Sequence, residues 1–169
     1  MRFYLQRKKS WFNDNFLCVA DENREQLFDL KSTIMLAKRT IRVLDADRND
    51  VAVIKQELKS LSPKYSVYVN GEKRVTVKRL LNPLIPKYEV EGGGWELRFE
   101  LMHRQYDVCK NGSLIATVIH EDYFSRPSRR IDMADGSVDD QITALALAVA
   151  IEYGINFEAL QTAQDKSND

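Results

Sequence analysis

The run Asp45-Ala-Asp47-Arg-Asn49 places side-chain oxygens at alternate positions, the opening spacing of a calcium-binding loop. An EF-hand loop needs glycine at its sixth position and a bidentate glutamate at its twelfth; Asp50 and Gln56 stand there instead. Strand-forming residues flank the segment, so it reads as the turn of a β-hairpin. His103 and His120 are the only histidines, and no cysteine or carboxylate cluster accompanies them at ligand spacing. His120 stands in the strand-like run Ile115-Ala-Thr-Val-Ile-His-Glu121 and reads as a polar strand-end residue. The chain carries no Gly-x-Ser-x-Gly elbow, phosphate loop or dinucleotide fingerprint, and Gly92-Gly-Gly94 precedes a strand-like segment where a phosphate cradle would need a helix. Cys18 and Cys109 are too few and too far apart for a disulfide framework or a zinc knuckle, and read as reduced thiols in a cytoplasmic protein. No catalytic residue, metal or cofactor is expected.

What remains is cations beside aromatics. Arg7, Lys8 and Lys9 adjoin Trp11 and Phe12, and Tyr123 and Phe124 adjoin Arg126, Arg129 and Arg130. Such pairing suits a boundary between anionic head groups and acyl chains. It equally describes solvated loop charges next to core aromatics at strand ends.

The elements that position these residues follow from pattern. At 169 residues, with 44% hydrophobic and 30% charged, the composition is that of one globular domain. A formal net charge of zero argues against bulk electrostatic capture of nucleic acid. The basic N-terminal cluster has no apolar run behind it, so a signal peptide is not expected. The longest apolar stretch, Ile142–Ile151, is half of the roughly 20 residues that a membrane-crossing helix requires.

Most of the chain repeats one unit: an apolar extended segment, an Asp- or Asn-containing turn, and a second extended segment. Successive units begin near residues 16, 41, 65, 88 and 106, about 24 apart before shortening at the end. Asn70-Gly71 and Asn111-Gly112 suit tight turns, which need positive φ. A further hairpin is expected from Lys87–Glu91 and Trp95–Leu101 through Gly92-Gly-Gly94. Its second arm alternates, with Trp95, Leu97, Phe99 and Leu101 on one face. Added strands near 2–6, 33–36 and 129–133 bring the total to about a dozen.

One helix is expected, over about 137–154. Ser137 can cap its start, Asp139 and Asp140 face the positive end of its dipole, and Gly154 can end it. From Ile142 to Ile151 only Thr143 is polar, so the helix has no wet face and must be surrounded. Strands are all that is available to surround it. The inferred fold is therefore mainly β: a closed antiparallel barrel of about 12 strands around a buried hydrophobic C-terminal α-helix. A helix packed between two sheets, or covering one sheet, is the alternative. Residues 1–154 form this domain and 155–169 a polar tail.

The segments Tyr4-Leu-Gln-Arg7, Trp11-Phe-Asn-Asp14-Asn-Phe16, Lys64-Tyr-Ser-Val-Tyr-Val-Asn-Gly71 and Pro86-Lys-Tyr-Glu-Val-Glu-Gly92 together form a recognisable series. With the repeated hairpins and the ending Asp139-Asp-Gln-Ile-Thr-Ala-Leu-Ala-Leu-Ala-Val-Ala-Ile151, they resemble the LURP-one-related family over residues 2–153. That family is placed with tubby C-terminal domains and phospholipid scramblases. The resemblance implies a tubby-like closed barrel of about 12 strands around a hydrophobic helix. It implies no settled activity. Tubby domains bind phosphoinositide head groups through basic residues, but no position here matches that pocket residue by residue. The expected function is a non-catalytic binding module, monomeric, cytoplasmic and peripheral at anionic phospholipid surfaces through Arg7, Lys8, Lys9, Trp11, Arg126, Arg129 and Arg130. The alternative is a soluble protein–protein interaction or scaffold domain.

Overall fold

Apolar and polar residues alternate along segment after segment of this chain, and a period of two puts one face of each segment against a core. The computed structural model describes residues 1–8, 16–36, 38–57, 62–80, 87–100, 104–123 and 126–155, with side chains at all of these except 7, 8, 16–18, 87, 122, 123 and 126–128. Within them lie twelve strands. The first six are β1 (Arg2–Lys8), β2 (Phe16–Ala20), β3 (Gln26–Met35), β4 (Lys38–Leu44), β5 (Asp50–Gln56) and β6 (Lys64–Val69). The others are β7 (Glu72–Leu80), β8 (Lys87–Glu91), β9 (Trp95–Phe99), β10 (Gln105–Lys110), β11 (Ser113–Tyr123) and β12 (Arg126–Met133). Helix α1 (Val138–Val149) follows and continues as a π-helical turn, Ala150–Ile155.

All pairings are antiparallel, in the order β8-β7-β6-β5-β4-β3-β2-β1-β12-β11-β10-β9. The sheet curls until β8 approaches β9, which makes a nearly closed barrel with its seam between these two strands. The expected β8–β9 hairpin is thus corrected: the strands are consecutive, but no backbone ladder joins them. Three successive positive-φ glycines, Gly92, Gly93 and Gly94 (φ 106°, 60° and 71°), carry the chain across the gap. A Cβ at Gly94 would also sit 1.9 Å from Asn111 Oδ1, so any larger residue there would displace the Asn111 side chain.

The barrel has two ends. At the upper end lie the turns at 21–25, 45–49, 70–71, 92–94 and 111–112, together with the start of α1. The carboxylates of Asp21 and Asp45 close their turns in the same way. Asp21 Oδ1 accepts from the Glu25 N–H at 2.8 Å and Asp45 Oδ1 from the Asn49 N–H at 2.8 Å, with Arg24 and Arg48 in the left-handed region. The calcium-like run is therefore half of a repeated turn. Helix α1 is anchored at this end too. Ser137 Oγ accepts from the Asp140 N–H, Asp139 accepts from Asn70 Nδ2 (3.1 Å) and Arg74 Nη2 (3.0 Å), and Asp140 pairs with Lys110 Nζ (2.7 Å). The Lys110 hydrogen bond holds the Asp140 carboxyl below its ordinary range.

From there α1 runs down the barrel axis with Thr143–Val149 buried. Thr143, the polar exception, donates to the Asp139 carbonyl at 2.7 Å and leaves no unsatisfied hydroxyl in the core. Helical structure passes through Gly154 to Ile155, one residue beyond the expected end, so Gly154 does not terminate it. Its role is proximity: a Cβ at Gly154 would meet Tyr65 Cζ at 2.9 Å, and Tyr65 is fully buried. Gly154→Ala is expected to cost about 1–3 kcal/mol through overpacking. Differential scanning calorimetry should show Tm lowered by roughly 2–12 °C. An unchanged Tm would mean that the helix end does not press on Tyr65.

Candidate functional site

Antiparallel register decides where the basic–aromatic clusters go. β1 pairs with β12, with Tyr4 opposite Arg130 and Leu5 opposite Arg129. The C-terminal end of β1, carrying Arg7 and Lys8, therefore lies beside the N-terminal end of β12, carrying Arg126, at the lower end of the barrel. Tyr123, directly opposite Arg126 on β11, belongs to the same corner. Two clusters more than a hundred residues apart in sequence thus share one end of adjacent strands. Lys9, Trp11, Phe12 and Phe124 lie outside the described residues.

Arg129 and Arg130 are engaged by carboxylates. Arg130 Nη1 contacts Glu121 Oε1 at 2.8 Å and its Nε lies 3.2 Å from Asp132 Oδ2. Arg129 Nε donates to Glu152 Oε2 at 2.8 Å. Glu152, in the π-helical turn, is the one carboxylate that the helix carries into the interior, and its side chain is only 4% exposed. His120 Nε2 lies 3.1 Å and the Tyr106 hydroxyl 3.4 Å from its Oε1. An ionised carboxylate can only accept, so both partners donate. Burial pushes the Glu152 carboxyl up, but the His120 hydrogen bond and the Arg129 charge outweigh it and hold the group below its ordinary value. Burial, reinforced by the Glu152 charge, drives the Tyr106 phenol well above its ordinary range.

The strands aim these groups by pairing. His120 on β11 stands opposite Arg129 on β12, so both point at the same stretch of helix. Aromatic rings continue the line around the wall: Tyr106 to Phe99 at 5.1 Å, and Phe99 stacked on Tyr88 at 5.3 Å across the seam. With Arg129, His120 and Tyr106 all bonded to one carboxylate, the cluster is a closed ionic tie between helix and wall. Sequence reasoning missed Glu152. The available signal was one acidic residue, flanked by Ile151 and Tyr153, inside a helix that needed to be buried all round.

Among the described residues no group of three or more His, Cys, Asp or Glu side chains is placed to hold a metal ion. Cys109 is a buried free thiol. No helix of the described residues is long and apolar enough to cross a membrane.

Residues 1–152, nearly the whole barrel and its helix, match the LURP-one-related family. The chain belongs to that family. Its relatives include the uncharacterized protein YxjI of Bacillus subtilis (strain 168), 20% identical over 108 residues that cover 64% of this chain and 66% of that protein. This LURP-one-related chain is similar in fold to an Arabidopsis thaliana protein solved by X-ray crystallography. The TM-score is 0.56 at 16% identity, over 92% of this chain and 91% of that one. Such low identity carries the barrel alone, and the fold expected from the hairpin pattern is thereby shared with a solved plant protein.

Proposed function

We propose that this LURP-one-related barrel is a non-catalytic module that binds anionic phospholipid head groups peripherally through its lower end. One observation carries the reading: the β1–β12 pairing brings the strand ends with Arg7, Lys8 and Arg126 together. A cation near an anionic surface contributes about 1 kcal/mol, so only a gathered set binds usefully. The barrel interior is filled by α1 and inward-facing side chains, which directs recognition to the outside.

Sedimentation with vesicles of phosphatidylserine and phosphatidylcholine, against phosphatidylcholine alone, tests this. Replacing Arg7, Lys8 and Lys9 together with serine is expected to remove about 3 kcal/mol, on the order of a hundredfold in affinity, and to flatten the salt dependence. Trp11→Ala should weaken binding with little change in salt dependence, since it removes apolar area. Equal pelleting of parent and triple variant would make these ordinary surface charges and favour a protein partner.

A further inference from the structure

The β3–β4 hairpin is unlike the others. β3 is buried at Leu30, and from Lys31 to Met35 every residue is exposed. The ladder from β2 reaches Leu17↔Leu30, so β3 leaves the wall where that support ends, and the hairpin projects from the lower end. At its tip stand Ile34, Met35 and Leu36, exposed by 67%, 75% and 86%. Three consecutive large apolar side chains in water contribute nothing to the core, and a protein surface rarely groups them without a use.

The backbone sharpens the anomaly. Met35 pairs with Lys38, leaving a two-residue connection whose first residue, Leu36, has φ +50°. Among the described residues two other two-residue connections are Asn70-Gly71 (φ 54° and 78°) and Asn111-Gly112 (φ 50° and 80°), residues that accept this conformation readily. Neither turn chemistry nor packing calls for leucine here. Strain of this kind gathers at functional positions.

Charge identifies the occupant. Between Leu30 and Leu44 the chain has four cations, Lys31, Lys38, Arg39 and Arg42, and no carboxylate. Arg42 is held by Asp50 at 2.7 Å. Lys31 and Lys38 are exposed and lie on the same face as Met35, one four residues before it and the other directly opposite. Two strands away, at roughly 10 Å, β1 ends in Arg7 and Lys8 at the same end of the barrel. By way of β2 that strand end lies level with Leu30 and Lys31 at the base of the hairpin, so the apolar tip extends beyond a cationic base, an arrangement that matches the boundary of an anionic bilayer, with acyl chains below and phosphates above.

We infer that Ile34, Met35 and Leu36 form an anchor that inserts into the acyl boundary of an anionic membrane while Lys31 and Lys38 contact its head groups. This rests on the anionic-membrane reading above and adds a second, apolar component to it.

The test compares the parent, a variant with Ile34, Met35 and Leu36 all replaced by serine, and the single variant Leu36→Asn. Each is sedimented with phosphatidylserine–phosphatidylcholine vesicles at low and high salt. The triple variant is expected to bind about tenfold more weakly or worse at both salts, because apolar transfer is not screened. Its Tm should match the parent's. Leu36→Asn should lose part of the affinity and melt no lower, since asparagine accepts the turn. Equal vesicle binding by parent and triple variant, both pelleting, would overturn the anchor and leave the head-group reading intact. A parent that pelleted with neither vesicle type would overturn both. A parent that sedimented as a dimer which the triple variant dissociated, without vesicle binding, would assign the tip to a second copy and overturn the anchor.

Discussion

Leu147→Asp is expected to abolish cooperative folding. Leu147 is fully buried in the last turn of α1, midway along the helical run 138–155, and α1 packs against β5, β6, β7 and β11. Leu147 has no exposed surface, so the aspartate would be withdrawn from water. Burying an unpaired carboxylate costs several kcal/mol after protonation and relaxation, and removing the isobutyl group adds about 2–5 kcal/mol. A total stability of about 5–15 kcal/mol does not withstand both. The variant should be insoluble, or lack a thermal transition by circular dichroism, while Leu147→Met should fold with a loss under about 1.5 kcal/mol. A soluble Leu147→Asp protein that melts cooperatively would mean that the helix does not occupy the barrel axis.

Arg129→Leu is expected to destabilise by about 3–5 kcal/mol near neutral pH, because it strips the cation from Glu152 and leaves a buried charge with only hydrogen-bond partners. The pH dependence identifies the cause. In the parent, Glu152 is depressed in the folded state, so its contribution is complete above the unfolded value near about 4.3 and is lost as pH falls through the lower folded value. In the variant the folded carboxyl rises, because burial is no longer offset by the arginine charge. Acidification then neutralises the misplaced charge, and the gap between parent and variant should narrow as pH falls from the variant's higher folded value through the parent's depressed one. Other carboxylates titrate in both proteins and largely cancel in the difference. Adding Glu152→Gln to Arg129→Leu should recover much of the loss at neutral pH, since the unpaired charge is gone. Urea unfolding at neutral and acidic pH measures all three proteins; a gap that did not depend on pH would make Arg129 a packing residue.

Local pattern made the strands, the two Asn-Gly turns and the cap at Ser137 legible, because each depends on residues a few positions apart. The apolar run Ile142–Ile151 went further: a helix without a wet face dictates enclosure, and with only strands to enclose it the barrel followed. Gly92-Gly-Gly94 was misread for the converse reason. Whether β8 pairs with β9 depends on how far the other strands curl, which no residue in the turn encodes. Glu152 and His120 stand 32 positions apart, and only register and helix rotation turn them, with Arg129 and Tyr106, toward one another. The gathering of Arg7, Lys8 and Arg126 at one end of the barrel is likewise a consequence of the β1–β12 pairing that joins the first and last strands of the sequence. The exposure of Ile34, Met35 and Leu36 was hidden because an apolar strand end looks the same in sequence whether it faces a core or projects past it. Composition and periodicity, then, determined the elements and the need to bury the helix, since those are one-dimensional properties of neighbouring residues. The tertiary structure alone decided the seam, the buried ionic tie and the outward apolar tip, since each depends on where separate strands come to rest against one another.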